Sequence, residues 1–255
     1  MSGDGLYFYG IAEPGALPAA DTLGPGLGGA APDWVEAAGL AALVSPVTGA
    51  EVPASRRNML AHTAVLERAL AEASLLPLRF GTVAPDAAAV AACLARHAPQ
   101  FRAGLREVAG RVELGVKVHW QPEIVFTQLL EQDAGLRRMR DRLRDRPAAE
   151  TYAERIELGR RVEAALAARR AAEARRLLDT LAPLAERSAA LPLAEDTMLL
   201  NHAFLVRRAR EAEFDAVMAA LAEAQGERLS FRYVGPVPPY NFVALQAALF
   251  GWEKA

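Results

Sequence analysis

The chain has 255 residues, a mass of 27.3 kDa and a 52% apolar composition, enough for one large domain or two ordinary ones with a full core. Its 29 basic and 31 acidic residues leave a net charge of −2, which argues against a dominant polyanion-binding role. One cysteine, Cys93, excludes an internal disulfide framework and any metal site built on several thiolates. The 55 alanines, and 27 arginines against two lysines, read as the imprint of a GC-rich genome rather than as a function.

The N-terminus lacks a basic region and a long apolar run, so it does not read as a secretory signal. Leu6–Ala12 (LYFYGIA) is aromatic and predicts a strand buried on at least one face. Residues 14–32 are crowded with Gly, Pro and Ala and predict a long loop or flexible excursion. Leu40–Val47 predicts a second strand. Ser55 then stands as an N-cap for a helix with Met59, Thr63, Leu66 and Leu70 on one face. Leu75–Val83 predicts a strand with an early proline and a glycine exit. Pro85 and Asp86 open another helix with Val90, Cys93, Leu94 and His97 on one side. Pro99 interrupts it before a short amphipathic turn through Phe101, Leu105 and Val108.

From Arg111 to Trp120 apolar and polar residues alternate, predicting a half-buried strand whose wet face carries Arg111, Glu113, Gly115, Lys117 and His119. Residues 122–187 are helical in character: a short piece, an arginine-rich piece, and a long one from about Ala149. Ser188–Leu193 and Thr197–Arg207 predict strands, and Phe214, Val217, Met218 and Leu221 mark a helix that Gly226 closes. Leu229, Phe231 and Tyr233 alternate along a last strand. The expected fold class is α+β in two domains, 1–110 and 111–255. The second spells a modified ferredoxin-like βαββαβ with helices inserted at about 122–187 and a proline-rich tail. The uncharged run from Tyr233 to Trp252 holds too many prolines and glycines to span a membrane as a helix.

Catalytic and cofactor patterns are poor. His62, His97, His119 and His202 lie on separate elements without metal-ligand spacing, and isolated surface or satisfied core histidines are the ordinary reading. Cys93 sits on the apolar side of its helix, as a packed thiol does. No glycine-rich phosphate cradle or nucleophile elbow occurs, and Gly24, Gly26, Gly28 and Gly29 read as loop flexibility. Arg137–Arg146 packs six arginines into ten residues, which would suit RNA. Asp141 and Asp145 punctuate it at helical spacing, which suits a salt-bridged exposed helix better. A small-molecule or catalytic protein would need a pocket between the domains, with Arg79, His119 and His202 as its polar groups.

Two short segments carry more information. Pro77, Arg79, Phe80 and Gly81 end a strand with a buried-type arginine and a glycine exit. Gly235, Pro236, Pro238, Pro239, Tyr240 and Phe242 follow the last strand, where three prolines fix an extended path and the aromatics anchor it. That path serves either as a rigid terminal crossover or as a preformed docking surface. Beyond it, Val243, Leu245, Leu249, Phe250 and Trp252 have the spacing of a short amphipathic helix.

The LYFYGI strand, PLRFGT (Pro77–Thr82), ERIELGRRVEAAL (Glu154–Leu166), MLLNHAFLVRRAREAEFDAV (Met198–Val217) and RYVGPVPPYNFV (Arg232–Val243) resemble, in order, the gas vesicle protein F/L family. The resemblance spans nearly the whole chain; the Gly/Pro-rich insertion near Gly24–Gly29 departs from it. It implies a non-enzymatic accessory or minor structural protein of gas vesicle assembly, with two α+β domains and no cofactor. It further implies contacts with the small hydrophobic shell protein and other vesicle proteins, in a prokaryotic cytoplasm or at the vesicle, without nucleic acid or lipid membrane. Phe250 and Trp252 join the motif residues as the interaction or structural candidates.

Overall fold

Strand β1 (Asp4–Ala12) is buried on both faces, with Tyr7 and Tyr9 on one side and Phe8 and Ile11 on the other. A bulge between Phe8 and Gly10 makes this parity possible, because one extra residue flips the alternation of side chains. Gly10 has no Cβ to strike the Leu76 carbonyl, which an ideal Cβ would approach to 2.8 Å. A computed structural model describes residues 4–15 and 17–243 of the chain.

Around β1 lie β2 (Asp33–Ala37), β3 (Leu40–Thr48), β4 (Leu75–Pro77) and β5 (Val83–Ala84), in the order β2-β3-β1-β4 with β5 also paired to β1. Every pairing is antiparallel. Helix α1 (Arg56–Glu72) covers the Tyr7/Tyr9 face with Val65, Leu66 and Ala69. Helix α2 (Ala87–Val108) covers the Phe8 face with Val90, Leu94, Phe101 and Leu105. Both helices start on the expected caps: Ser55 accepts from the Asn58 N–H, and Asp86 from that of Ala89.

The remaining elements are β6 (Arg111–Trp120), α3 (Pro122–Gln132), α4 (Ala134–Arg144), α5 (Tyr152–Leu181), β7 (Arg187–Ala190), β8 (Met198–Arg207), α6 (Glu211–Gln225) and β9 (Leu229–Val237). Their sheet has the order β7-β8-β6-β9. With 51% helix, 25% strand and two antiparallel sheets, the class is α+β. Two compact units divide the described chain, and the first takes back two later pieces, 205–208 and 234–243, which a single cut at residue 110 assigns to the second domain.

Several local expectations need correction. The strand expected over 75–83 is interrupted: Leu78 N–H bonds the Tyr9 carbonyl and Phe8 N–H the Thr82 carbonyl, while residues 79–81 are extruded as a turn at Gly81, whose φ is +100°. The loop over 14–32 is not a free excursion. It holds two short 3-10 turns, buries Leu23 and Leu27, and is tied down by Arg68 on the Leu23 carbonyl and Trp34 on that of Pro18. β2 forms where no strand is expected, because DWVEA carries two acids and lies at a sheet edge. On α1 Leu66 and Leu70 are buried as expected, but the buried face also takes in His62, Val65 and Ala69 and leaves Met59 exposed. The interruption expected at Pro99 is present as a kink at His97, and the helical turn through Phe101, Leu105 and Val108 follows it as expected. β9 continues through Gly235 and Pro236 to Val237.

Candidate functional site

Two of the sequence-selected segments meet at a histidine that the sequence did not single out. His62, buried on the inner face of α1, has a phenol at each ring nitrogen: Tyr7 Oη at 3.0 Å from Nδ1 and Tyr240 Oη at 3.0 Å from Nε2. Gly81 N–H donates to Tyr7 Oη at 3.1 Å. A neutral imidazole protonated at Nε2 satisfies the whole chain: Gly81 N–H to Tyr7 Oη, Tyr7 O–H to Nδ1, and Nε2–H to Tyr240 Oη. Phe80 packs edge-on to His62 at 5.7 Å, and Tyr9 stacks on its other side at 5.7 Å. Tyr9 Oη reaches Ser45 Oγ at 2.8 Å and accepts the Leu27 N–H at 2.9 Å. Gly26 lies where any Cβ would strike that hydroxyl, so this one glycine of the loop makes room for a buried phenol.

Burial lowers the His62 pKa to about 4 and raises those of Tyr7, Tyr9 and Tyr240, so all four groups are neutral at pH 7. Such a cluster holds four distant pieces of chain together, β1, α1, the Gly81 turn and the tail, and its histidine and phenols are un-ionised.

The tail is fixed a second time at Asn241. Its backbone N–H donates to Glu113 Oε2 at 2.8 Å and its side-chain amide to Oε1 at 2.5 Å. Glu113 was assigned to a wet face of β6; the returning tail covers it and buries it. Pro238, Pro239 and Phe242 are buried too, and Val243 packs on the core beneath α2.

The other selected residues have different fates. Pro77 is buried opposite Gly10 at the end of β4. Arg79 is exposed, against the expectation of a buried arginine, and its carbonyl accepts from Thr82 Oγ1. Gly235 forms a cis peptide with exposed Pro236. Phe250 and Trp252 lie outside the described residues. Tyr7 and Tyr9 carried a legible signal, two phenols on one face of a buried strand; His62 and Glu113 carried none locally.

Polar constellations elsewhere are sparse. Among the described residues no three His, Cys, Asp or Glu side chains are grouped to hold a metal ion, and no helix is long and apolar enough to cross a membrane. Cys93 is buried, which pushes its thiol up to about 11. Arg79 belongs to the first unit, His119 and His202 to the second. In α4, Asp141 bonds Arg140 at 2.6 Å and Arg144 at 3.4 Å, so the arginine-rich run is internally paired through these residues.

The family model described as gas vesicle synthesis protein GvpL/GvpF matches residues 5–244. The gas vesicle protein F of a Streptomyces species is 35% identical across 80% of this chain and 84% of its own. That of a Nostoc species is 31% identical across 94% and 98%. The crystal structure of the gas vesicle protein GvpF from Anabaena superposes with a TM-score of 0.76 at 30% identity, covering 95% of this chain and 97% of that one. Its motifs, its α+β architecture and these matches agree: the chain belongs to the GvpL/GvpF family of gas vesicle synthesis proteins and takes part in gas vesicle formation.

Proposed function

We propose that this protein is a non-catalytic assembly factor that binds the small hydrophobic shell subunit of the gas vesicle through its C-terminal segment. The observation that carries the reading is the double clamp on Tyr240 and Asn241. Hydrogen bonds to His62 and Glu113 fix the chain at Tyr240 and Asn241, and the sequence beyond Val243 is mostly apolar, with Leu245, Leu249, Phe250 and Trp252. A shell subunit exposes broad apolar faces before it joins a wall, and an apolar segment on an anchored stem would shield them during nucleation. Pro238, Pro239 and Phe242 belong to the stem by their burial, and the residues after Val243 to the contact. Phe80 and Gly81 brace the cluster that holds the stem.

The second unit is proposed as a modified ferredoxin-like domain. Taking β6, β7, β8 and β9 as strands one to four, the order β7-β8-β6-β9 is 2-3-1-4, which is 4-1-3-2 read backwards, with α3 to α5 filling the first crossover. Partners are the shell protein and other vesicle proteins, without nucleic acid or lipid, at the vesicle or in the cytoplasm that builds it.

The test is a chain ending at Val243. It is expected to keep its melting temperature, because the clamp residues remain, and to lose capture of co-expressed shell subunit together with vesicle formation. A truncated protein that still binds the subunit and supports vesicles would end this reading.

A further inference from the structure

Along α5, Tyr152, Ile156, Gly159, Glu163, Leu166 and Arg170 follow one another at alternating steps of four and three residues, the spacing of a helix seam. The same line continues to Leu177, which is buried, whereas Tyr152 and Ile156 at its front are 71% and 56% exposed. Between these ends lies a groove of about 570 Å³ lined by Trp120, Phe126, Gly159, Val162, Leu166 and Arg170 among others. Trp120 is covered there by the Arg170 guanidinium, 5.2 Å above its ring.

Gly159 is the anomaly. Glycine is among the poorest helix formers, yet it stands at the eighth position of a 30-residue helix, two turns in, where an added Cβ would meet nothing within 4 Å. Nothing in the described fold requires it; a second backbone crossing closely at this point would.

The chemistry on either side of Gly159 complements itself. Tyr152 lies seven residues before it and Leu166, in the groove, seven after; Arg155 lies four before and Glu163 four after. Seven residues are about 10 Å along a helix axis. Arg155 donates to the Thr151 hydroxyl and to the carbonyl oxygens of Leu143 and Arg146, all neutral, so no carboxylate in those bonds cancels its charge.

We propose that α5 pairs with a second copy of this chain, antiparallel about a twofold axis through Gly159. Each Tyr152 then enters the groove of the other copy beside Leu166, and Arg155 faces Glu163 twice, as an isologous contact requires. A contact centred on one helix pair lies in the small, weak class of interfaces, with Kd on the order of 1–100 µM. The inference is independent of the shell-binding reading.

Sedimentation velocity of the full chain across that range is expected to show a monomer–dimer equilibrium whose Kd rises at least roughly tenfold in Tyr152→Glu. Helical circular dichroism would confirm that this exposed substitution leaves the fold intact. On a twofold axis a residue meets its own copy, so Gly159→Cys should form a covalent dimer under mild oxidation. Arg161→Cys, on the opposite side of the helix, should not, and Cys93 is buried. A chain that stays monomeric at roughly 100 µM overturns the proposal and leaves the stripe to a different protein. A dimer that survives Tyr152→Glu, or that crosslinks equally at both cysteines, overturns it by placing the interface elsewhere.

Discussion

Asn241 donates two hydrogen bonds to the Glu113 carboxylate across 128 residues of sequence, and so closes the end of the described chain against the start of β6. Glutamine at 113 keeps one acceptor and turns the other oxygen into a donor, leaving one Asn241 N–H facing another. Glu113→Gln is expected to lose about 1–3 kcal/mol in urea unfolding at pH 7. Burial raises the Glu113 pKa in the folded protein, against the lowering effect of Asn241. Its protonation therefore favours the folded state most below pH ~4.5 and the contribution fades as pH rises through the folded value. Glu113→Gln should flatten that part of the profile.

His62 acts with the opposite sign. Burial lowers its pKa to about 4, below an unfolded value of about 6.5. Its contribution is complete above pH ~6.5 and is lost as pH falls toward about 4, on the order of 3 kcal/mol. Unfolding measured at pH 7 and at pH 4.5 should show a larger acid loss in the parent than in His62→Gln. An imidazole NMR titration midpoint near 6.5 would refute the assignment.

Glycines 235 and 159 should answer alanine differently. At Gly235, φ is +144° and a Cβ would come within 2.7 Å of Leu114 Cδ2 and 2.9 Å of the Glu113 carbonyl. Gly235→Ala is expected to cost about 2 kcal/mol or more. Gly159→Ala, with no neighbour to strike, should raise the stability of the dilute monomer by up to about 1 kcal/mol. Thermal melts of the two variants read both effects.

The elements that are legible carry a strong local signal. β6 alternates apolar and polar residues, β1 has three aromatics in a row, and α1 and α2 announce themselves by Ser55 and Asp86. What escaped was set by partners far along the chain. Glu113 looks solvated until Asn241 covers it, and His62 looks like any core histidine until Tyr7 and Tyr240 reach its two nitrogens. The turn at Gly81 interrupts a strand because Tyr7 Oη takes its N–H, 74 residues away. Local sequence encodes which face is apolar; it does not encode which polar group will meet which.

In the second unit, Arg228 grips Glu173 with two hydrogen bonds, at 2.8 and 3.2 Å, and also donates to Gln225 Oε1. Their side chains are only 19% and 11% exposed, so the pair is largely withdrawn from water, whereas Arg176, 3.7 Å from the same carboxylate, is open to solvent. The Arg228 bonds hold the Glu173 pKa below the usual carboxylate range despite burial, which acts to raise it. Removing Arg228 strands a buried carboxylate, and Arg228→Ala is expected to cost about 3–5 kcal/mol. Arg176→Ala should cost no more than about 0.5 kcal/mol. Folding depresses the Glu173 pKa, so its contribution is present above pH ~4.5 and fades as pH falls through the folded value. Arg228→Ala should lose that acid dependence. Replacing both residues by Leu and Met should cost less than Arg228→Ala alone, because no charge is then left buried without its partner. Urea unfolding of the two single variants and the double variant separates the energy of the pair from the penalty of orphaning one member.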